Sequence, residues 1–241
     1  MVSLLSLIVV GFLFGMRHAT DPDHVVAVTT IVSRERSLRS AAVIGSLWGA
    51  GHTLTLLLVG GTLLLFGVVI PPRLGLGFEL CVAVMLVLLD LLNLRAPLAH
   101  SPPPGPDQPP RHDHESPLVR KLDTLLGGLR GYALLRPLVV GLIHGLAGSA
   151  AVAILVMGTL QSPLWGLCYL LIFGAGTLAG MLLITLAMAL PLRLSARRFA
   201  RFHRGLGLAA GAFSVAFGLA LAYRIGFVDG LFSAHPTWTP G

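Results

Sequence analysis

The sequence contains few charged residues and few cysteines, and both features limit what the protein can be. Only 11% of its 241 residues are charged, whereas a soluble domain has about 25%. Because 55% are hydrophobic and the mean hydropathy is +0.85, the chain is expected to lie in a lipid bilayer. Cys81 and Cys168 each lie in an apolar run, which argues against a disulfide framework.

The start of the chain lacks a basic stretch before its first apolar run, so residues 1–15 are not expected to be a cleaved signal peptide. The net charge of +7 could suggest a nucleic-acid partner. The positions of the charges instead indicate how the protein is oriented in a membrane, and no nucleic-acid partner is predicted.

Six stretches are apolar enough and long enough to be membrane spans, since a spanning helix needs roughly 20 apolar residues. They lie at about 2–31, 41–69, 75–94, 135–158, 163–190 and 205–228. The long linker 95–134 contains the Pro-rich segment SPPPGPDQPPRHDHESP and is predicted to be disordered. Its histidines, including His112 and His114, are interpreted as part of a solvated linker, with loose metal binding as the alternative.

Basic residues are concentrated on one face of the predicted membrane topology. Fourteen Lys and Arg residues fall in or beside the linkers 32–40, 95–134 and 191–204, while the opposite face has only Arg73 and Arg224. The positive-inside rule therefore places the basic linkers in the cytoplasm and both termini outside. This distribution predicts a multi-pass protein of the cytoplasmic (inner) membrane.

The two halves of the chain share short similar segments. GMRHA at 15–19 is similar to GLIHG at 141–145, and GAGHTLTLLL at 49–58 is similar to GAGTLAGMLL at 174–183. The offsets are 126 and 125 residues. Since each half has three spans, the second must be inverted in the membrane, an architecture found in transporters. The predicted fold is thus an all-α polytopic membrane protein with an inverted 3+3 repeat: 1–94, the linker 95–134, and 135–241.

The first predicted span contains the polar segment GMRHATDPDH, residues 15–24. Ionisable side chains within a membrane cost about 2.5–3.5 kcal/mol each by insertion scales, so they need partners. His18, Asp21 and His24 share one side of a regular helix, and Asp23 points elsewhere. Pro22 cannot donate a hydrogen bond to the carbonyl of His18, so we predict a helix interruption that brings Asp23 to the histidines.

Two histidines and two aspartates within seven residues indicate a metal site. Imidazole and carboxylate suit a divalent first-row transition metal, whereas Ca²⁺ and Mg²⁺ prefer oxygen ligands. The first-choice ligands are His18, Asp23, His24 and His52 of the second span. Asp21 either supports the site or pairs with Arg17, four residues before it.

His52 and three further residues are considered because of their position in the spans or in the repeat. His52 follows two glycines that would let another helix approach closely. His144 occupies the repeat position of His18, and it is either a ligand from the second half or a packed histidine bonded to a carbonyl. Thr177, the repeat mate of His52, would be a hydroxyl neighbour. Asp90, near the cytoplasmic end of the third span, is expected at the membrane interface, with pairing to Arg17 or proton relay as the alternatives.

The segment RHATDPDH resembles the first-span signature, His-x4-Asp-His, of the nickel/cobalt transporter family and its smaller UreH-like and HupE-like relatives. The matching residues are Arg17, His18, Ala19, Asp21, Asp23 and His24. GAGHT resembles the family's second-span Gly-His-Ser/Thr element, and GLIHGLAGS is similar to a segment of the shorter relatives. The chain differs from the larger transporters at Pro22, where they are expected to have Ala, and in having six predicted spans against eight.

The resemblance implies that Ni²⁺ or Co²⁺ is the transported substrate, with no prosthetic group and no catalytic residue. The expected partners are the metal ion and the bilayer; a homo-oligomer or a metallochaperone is left open. One alternative is an intramembrane metalloenzyme, although the His-Glu-x-x-His pattern is missing and no glutamate adjoins His18 or His24. Another is a membrane subunit for metallocentre assembly.

Overall fold

A computed structural model describes residues 4–32, 37–68, 70–98, 135–147, 162–198 and 200–238. Every regular element in these ranges is helical, which confirms the all-α prediction. The helices are α1 (Leu4–His18), α2 (Pro22–Val32), α3 (Leu38–Phe66), α4 (Pro72–Leu98), α5 (Leu135–Ala147), α6 (Pro163–Arg198) and α7 (Ala200–Tyr223). A π-helical turn lies within α3 at Leu56–Gly60, and another follows α7 at Arg224–Val228.

Four helical stretches in the described residues are long and apolar enough to cross a membrane. They are Leu38–Phe66, Pro72–Leu91, Pro163–Pro191 and Gly207–Val228, and they correspond to the predicted spans 41–69, 75–94, 163–190 and 205–228. The predicted span 2–31 consists of two shorter apolar helices, and of span 135–158 only the part to Ala147 is described. α4 continues to Leu98, into the predicted linker 95–134. The remaining residues of that linker, and the prediction that they are disordered, lie outside the described ranges.

The first predicted span is interrupted between α1 and α2, as expected from Pro22. The backbone N–H of Thr20 donates to the carbonyl of Arg17, and that of Asp21 to the carbonyl of His18, at 2.8 and 3.1 Å. These tight three-residue bonds end α1, and Pro22 then occupies the first position of α2, where a missing N–H costs little. The break therefore puts His18 at the end of one helix and Asp23 and His24 in the first turn of the next.

Glycines allow four of the helices to pack backbone against backbone. A side chain at Gly15 in α1 would collide with the backbone of α6 at Phe173 and Thr177. A side chain at Gly141 in α5 would collide with the backbone of α3 at Trp48 and His52. Small residues of this kind let helices approach closely in membranes.

Gly51 and Gly176 make a second pair of close contacts. Gly51 in α3 faces the backbone of Leu138 in α5, and Gly176 in α6 faces the backbone of Phe12 in α1. The equivalent positions in these contacts are 125 or 126 residues apart, the same offsets as in the sequence similarity.

Apolar side chains occupy both the interior and the surface of the bundle. Buried residues between α2, α3, α4 and α6, among them Val28, Trp48, Leu86 and Met181, form the main core. Large apolar side chains also cover the outside, for example Phe66, which is 76% exposed. A surface of this kind is compatible with lipid contact and would be unfavourable in water.

Candidate metal centre

The six residues predicted as metal ligands lie together where the α1–α2 break meets α3 and α5. The break supplies His18, Asp21, Asp23 and His24, α3 supplies His52, and α5 supplies His144. The imidazoles of His24, His52 and His144 are at most 2% exposed. Sequence reasoning named all of these residues, and the geometry now separates them into sets with different contacts.

The first set consists of His18, His24 and His52. Their ring centroids are 4.9 to 5.2 Å apart, and Nε2 of His18 lies 3.2 Å from Nε2 of His52. Two nitrogens can bind one ion at about 2.0–2.1 Å each, with a nitrogen–metal–nitrogen angle between a right angle and the tetrahedral angle. The two nitrogens are then about 2.9–3.4 Å apart. The His18–His52 distance therefore fits two ligands of one ion.

The second set consists of Asp23, His24 and His144. The carboxylate of Asp23 lies 3.2 Å from Nδ1 of His24 and 3.5 Å from Nε2 of His144. In each set the atoms that could bind an ion lie within 4.8 Å of one another. His24 belongs to both sets, so the two potential ion positions adjoin each other.

Asp21 lies outside both sets and contacts His18, a candidate ligand. Its Oδ2 is 2.7 Å from Nδ1 of His18, the ring nitrogen not directed at His52. A carboxylate on the second nitrogen of a metal-binding histidine fixes the orientation and tautomer of the ring. The alternative pairing with Arg17 is not formed: no contact within ion-pair distance joins Arg17 to Asp21 in the described structure, because α1 ends before the four-residue spacing can operate.

Aromatic rings form two walls of the cluster. The indole of Trp48 packs against His24 and His144, with ring centroids 5.7 and 5.6 Å apart. Phe173 of α6 packs against His18 with a centroid distance of 5.5 Å. These rings exclude water from one side of the site and limit the rotations open to the imidazoles.

Several buried ring nitrogens in the cluster have no hydrogen-bond partner. They are Nδ1 and Nε2 of His24, Nδ1 of His52, and Nδ1 and Nε2 of His144. Of these, Nδ1 of His24 and Nε2 of His144 lie within ion-pair distance of the Asp23 carboxylate, whereas the other three nitrogens make neither a hydrogen bond nor an ion pair with a described residue. Leaving a buried polar group unsatisfied costs about 1–3 kcal/mol, so the arrangement favours a species that accepts the nitrogen lone pairs. A cation is such a species.

The remaining repeat residue, Thr177, is buried but has a different role from His52. Its hydroxyl donates to the carbonyl of Phe173 one turn earlier in α6, at 2.9 Å. Asp90 is fully buried within the protein, and its place at the membrane interface stays a prediction.

A cavity of about 360 Å³ opens from the cluster, and it includes residues that sequence reasoning missed. They are Glu79 of α4, Arg224 and Asp229 after α7, and Trp238 near the C-terminus. Glu79 could have been found, because a carboxylate inside a predicted span is expensive and is a functional candidate by default. The others could not, since their approach depends on how the end of the chain folds back.

The fold and the cluster define an all-helical protein compatible with a membrane, in which histidines and aspartates converge between apolar helices. No profile of a known protein family matches the chain, and no solved structure is significantly similar to it. The chain is 37% identical over 234 residues, 96% of each protein, to the urease accessory protein UreH of Bacillus sp. (strain TB-90). It belongs to the family of that UreH protein. This confirms the part of the resemblance that concerns UreH-like proteins, while membership of the wider nickel/cobalt transporter family stays a prediction.

Proposed function

We propose that the protein carries Ni²⁺ or Co²⁺ across the cytoplasmic membrane by way of the histidine–aspartate cluster. The observation that carries this proposal is the group of buried imidazoles, on His24, His52 and His144, whose ring nitrogens have no hydrogen-bond partner. Imidazole and carboxylate ligands without thiolate suit divalent metals such as nickel and cobalt. The ion is the substrate of the protein, and no prosthetic group or catalytic role is proposed.

The two overlapping ligand sets support movement of the ion as well as binding. The ion can contact Asp23, His24 and His144 in one position and His18, His24 and His52 in the next. Because His24 is common to both, the ion never has to leave all of its ligands at once. Each set offers three protein ligands, which leaves coordination positions for water and allows release.

The relative's name supports nickel in particular. An accessory role for urease, which that name states for the Bacillus protein, is consistent with nickel handling. The same name favours a second candidate, a membrane subunit that hands metal to a urease-assembly partner without moving it across the bilayer. The two candidates differ in one measurable property, which is metal flux by the protein alone.

The proposed architecture has six spans in an inverted 3+3 repeat, with both termini outside. The four long apolar helices, the divided first span and α5 support the number of spans. Two pairs of equivalent contacts support the repeat. Gly15 packs on α6 as Gly141 packs on α3, and Gly51 packs on α5 as Gly176 packs on α1, so a pseudo-two-fold relation would turn each contact into its counterpart. A binding site between such halves, at an interrupted helix, is the arrangement seen in repeat-built transporters.

Flux in proteoliposomes tests the proposal. Purified protein is reconstituted, and uptake of Ni²⁺, Co²⁺, Mn²⁺ and Zn²⁺ is compared with that of protein-free vesicles. Ni²⁺ or Co²⁺ uptake that is lost in His18→Ala, Asp23→Ala and His24→Ala, and kept in His235→Ala on the exposed C-terminal segment, is expected. Metal binding without flux would favour the assembly subunit, and wild-type flux in all three cluster variants would exclude the cluster as the carrier site.

A further inference from the structure

The cavity beside the cluster connects buried histidines with the protein surface. Its lining includes the buried residues His24 and His144, of which His144 is 1% exposed. Its lining also includes Arg224, whose side chain is 68% exposed. Buried residues with unpartnered ring nitrogens and an exposed side chain therefore border the same space.

Carboxylates dominate the charge along this cavity. Asp21, Asp23, Glu79 and Asp229 line it, against the single guanidinium of Arg224. Apolar walls, formed by residues such as Leu76, Val82 and Leu221, lie between these charges. A cleft with charges of one sign and apolar walls concentrates the field and raises the local concentration of the opposite ion.

Glu79 lines the same cavity as the buried histidines and Arg224. Its Oε1 accepts a hydrogen bond from the indole N–H of Trp238 at 2.8 Å, and its Oε2 has no hydrogen-bond partner among the described residues. The ring of Trp238 also packs onto Gly75, one turn before Glu79, where a side chain would collide with it. The C-terminal segment thus holds the Glu79 carboxylate in place along the cavity.

On the other side of the cluster, the described residues are closely packed and apolar. Further along α2 and α4 from the cavity, Val28, Val32 and Leu86 are at most 1% exposed and pack with Trp48 and Met181 in the main core. An ion can therefore reach the histidines from the cavity side and is blocked by apolar packing on the opposite side.

We propose that this cavity is the entrance by which the divalent cation reaches the cluster, and that Glu79 is the carboxylate that receives the ion on the way in. The inference rests on the proposed function, and it adds a side of access and a residue to it. Arg224 lines this cavity, is exposed and is predicted to be on the outer face, so the entrance is expected to face outside.

Charge removal at Glu79 provides the first test. Because Glu79 acts before the buried site, Glu79→Gln is expected to raise the KM for Ni²⁺ uptake by about 3- to 10-fold at low ionic strength. Vmax and the equilibrium Kd of the purified protein for Ni²⁺ are expected to stay unchanged, and the KM effect to shrink in high salt. Glu79→Asp, which keeps the charge, should have a KM close to the wild-type value. Asp107→Asn, which removes a charge from the predicted cytoplasmic linker, should leave the KM at the wild-type value.

An unchanged KM in Glu79→Gln would overturn the proposed role of Glu79. If that variant still transports Ni²⁺, the proposed function of the protein is unaffected. An increase in the Kd for Ni²⁺ as large as the increase in KM would also overturn this role, because Glu79 would then belong to the buried site or to its scaffold. Thermal stability of each variant, measured first, separates these results from misfolding.

Cysteine labelling tests the entrance independently of metal transport. In a background with Cys81 and Cys168 replaced by alanine, Leu221→Cys in the cavity wall and Leu86→Cys in the closed core are exposed to a membrane-impermeant thiol reagent in intact cells. Labelling of Leu221→Cys, its slowing by Ni²⁺, and no labelling of Leu86→Cys are expected. If Leu221→Cys reacts only after permeabilisation, the entrance does not face outside and the inference is wrong; labelling as expected in a protein without metal flux would count against the proposed function alone.

Discussion

Replacing Gly51 by alanine is expected to separate two of the histidines. Gly51 precedes His52 in α3 and faces the backbone of α5, the helix that carries His144. A methyl carbon at Gly51 would lie 3.1 Å from the backbone nitrogen of Leu142, and nearer still to the carbonyl oxygen of Leu138. Non-bonded heavy atoms are optimally about 3.5–4.0 Å apart, so α3 and α5 have to move apart by roughly 1 Å.

A movement of this size is large compared with the tolerance of a metal site. Metal–ligand distances stay within about 0.2 Å of their ideal values, so the two helices could no longer present both histidines to neighbouring ion positions. Overpacking by itself also costs about 1–3 kcal/mol of stability. We expect the affinity for Ni²⁺ to fall at least about tenfold, which corresponds to about 1.4 kcal/mol of binding free energy.

Equilibrium dialysis of purified protein with radiolabelled Ni²⁺ measures this change. Gly77→Ala in α4 is the matched control, because no atom lies within 4 Å of a side chain built at Gly77. The control should bind Ni²⁺ as the wild type does. If Gly51→Ala is as stable as the control and binds Ni²⁺ equally well, the close approach of α3 and α5 does not position the site.

Three further predictions follow from the helix break, the repeat and the charge distribution. Pro22→Ala should weaken Ni²⁺ binding only about 2- to 5-fold, because the turn before Pro22 already ends α1 and the proline mainly restricts the unfolded chain; a loss of more than tenfold in dialysis would contradict this. His52→Ala should abolish Ni²⁺ uptake in proteoliposomes while Thr177→Val keeps it, since the Thr177 hydroxyl bonds within its own helix, and equal uptake would refute the assignment. Single cysteines at 108 and 236, in a background without Cys81 and Cys168, should react with an impermeant reagent in intact cells only at 236; the reverse pattern would invert the topology.

The helix break and the ligand types were predictable because their causes are local. Pro22 lacks an N–H, and two histidines and two aspartates stand within seven residues of the sequence, so both the interruption and the chemistry can be inferred from a short segment. The role of Asp21 was less accessible. Its four-residue spacing from Arg17 suggested a helical ion pair, but the helix ends at His18, and the turn directs the carboxylate to the imidazole of His18 instead.

The convergence of the site and its cavity depended on contacts distant in the chain. The predicted repeat singled out His144, but only the packing of α5 on α3 shows that it lies beside the carboxylate of Asp23. Trp238 bonds to Glu79 across 159 residues, and no local pattern indicates that the C-terminal segment folds back onto α4. The burial of Asp90 within the bundle was not predictable either, because hydropathy gives depth along a span and says little about which side of a helix is buried.

The central claim is that a divalent metal ion binds among the residues that surround His24. Its most direct measurement is the stoichiometry and affinity of Ni²⁺ binding to the purified protein, by equilibrium dialysis, for the wild type and His24→Ala, with His235→Ala as the control. Because His24 belongs to both ligand sets, its removal leaves two ligands in each, and we predict saturable binding in the wild type and the control that weakens at least about 100-fold in His24→Ala, or about 2.7 kcal/mol. Equal Ni²⁺ affinity in all three proteins, or no saturable binding in the folded wild type, would contradict the account.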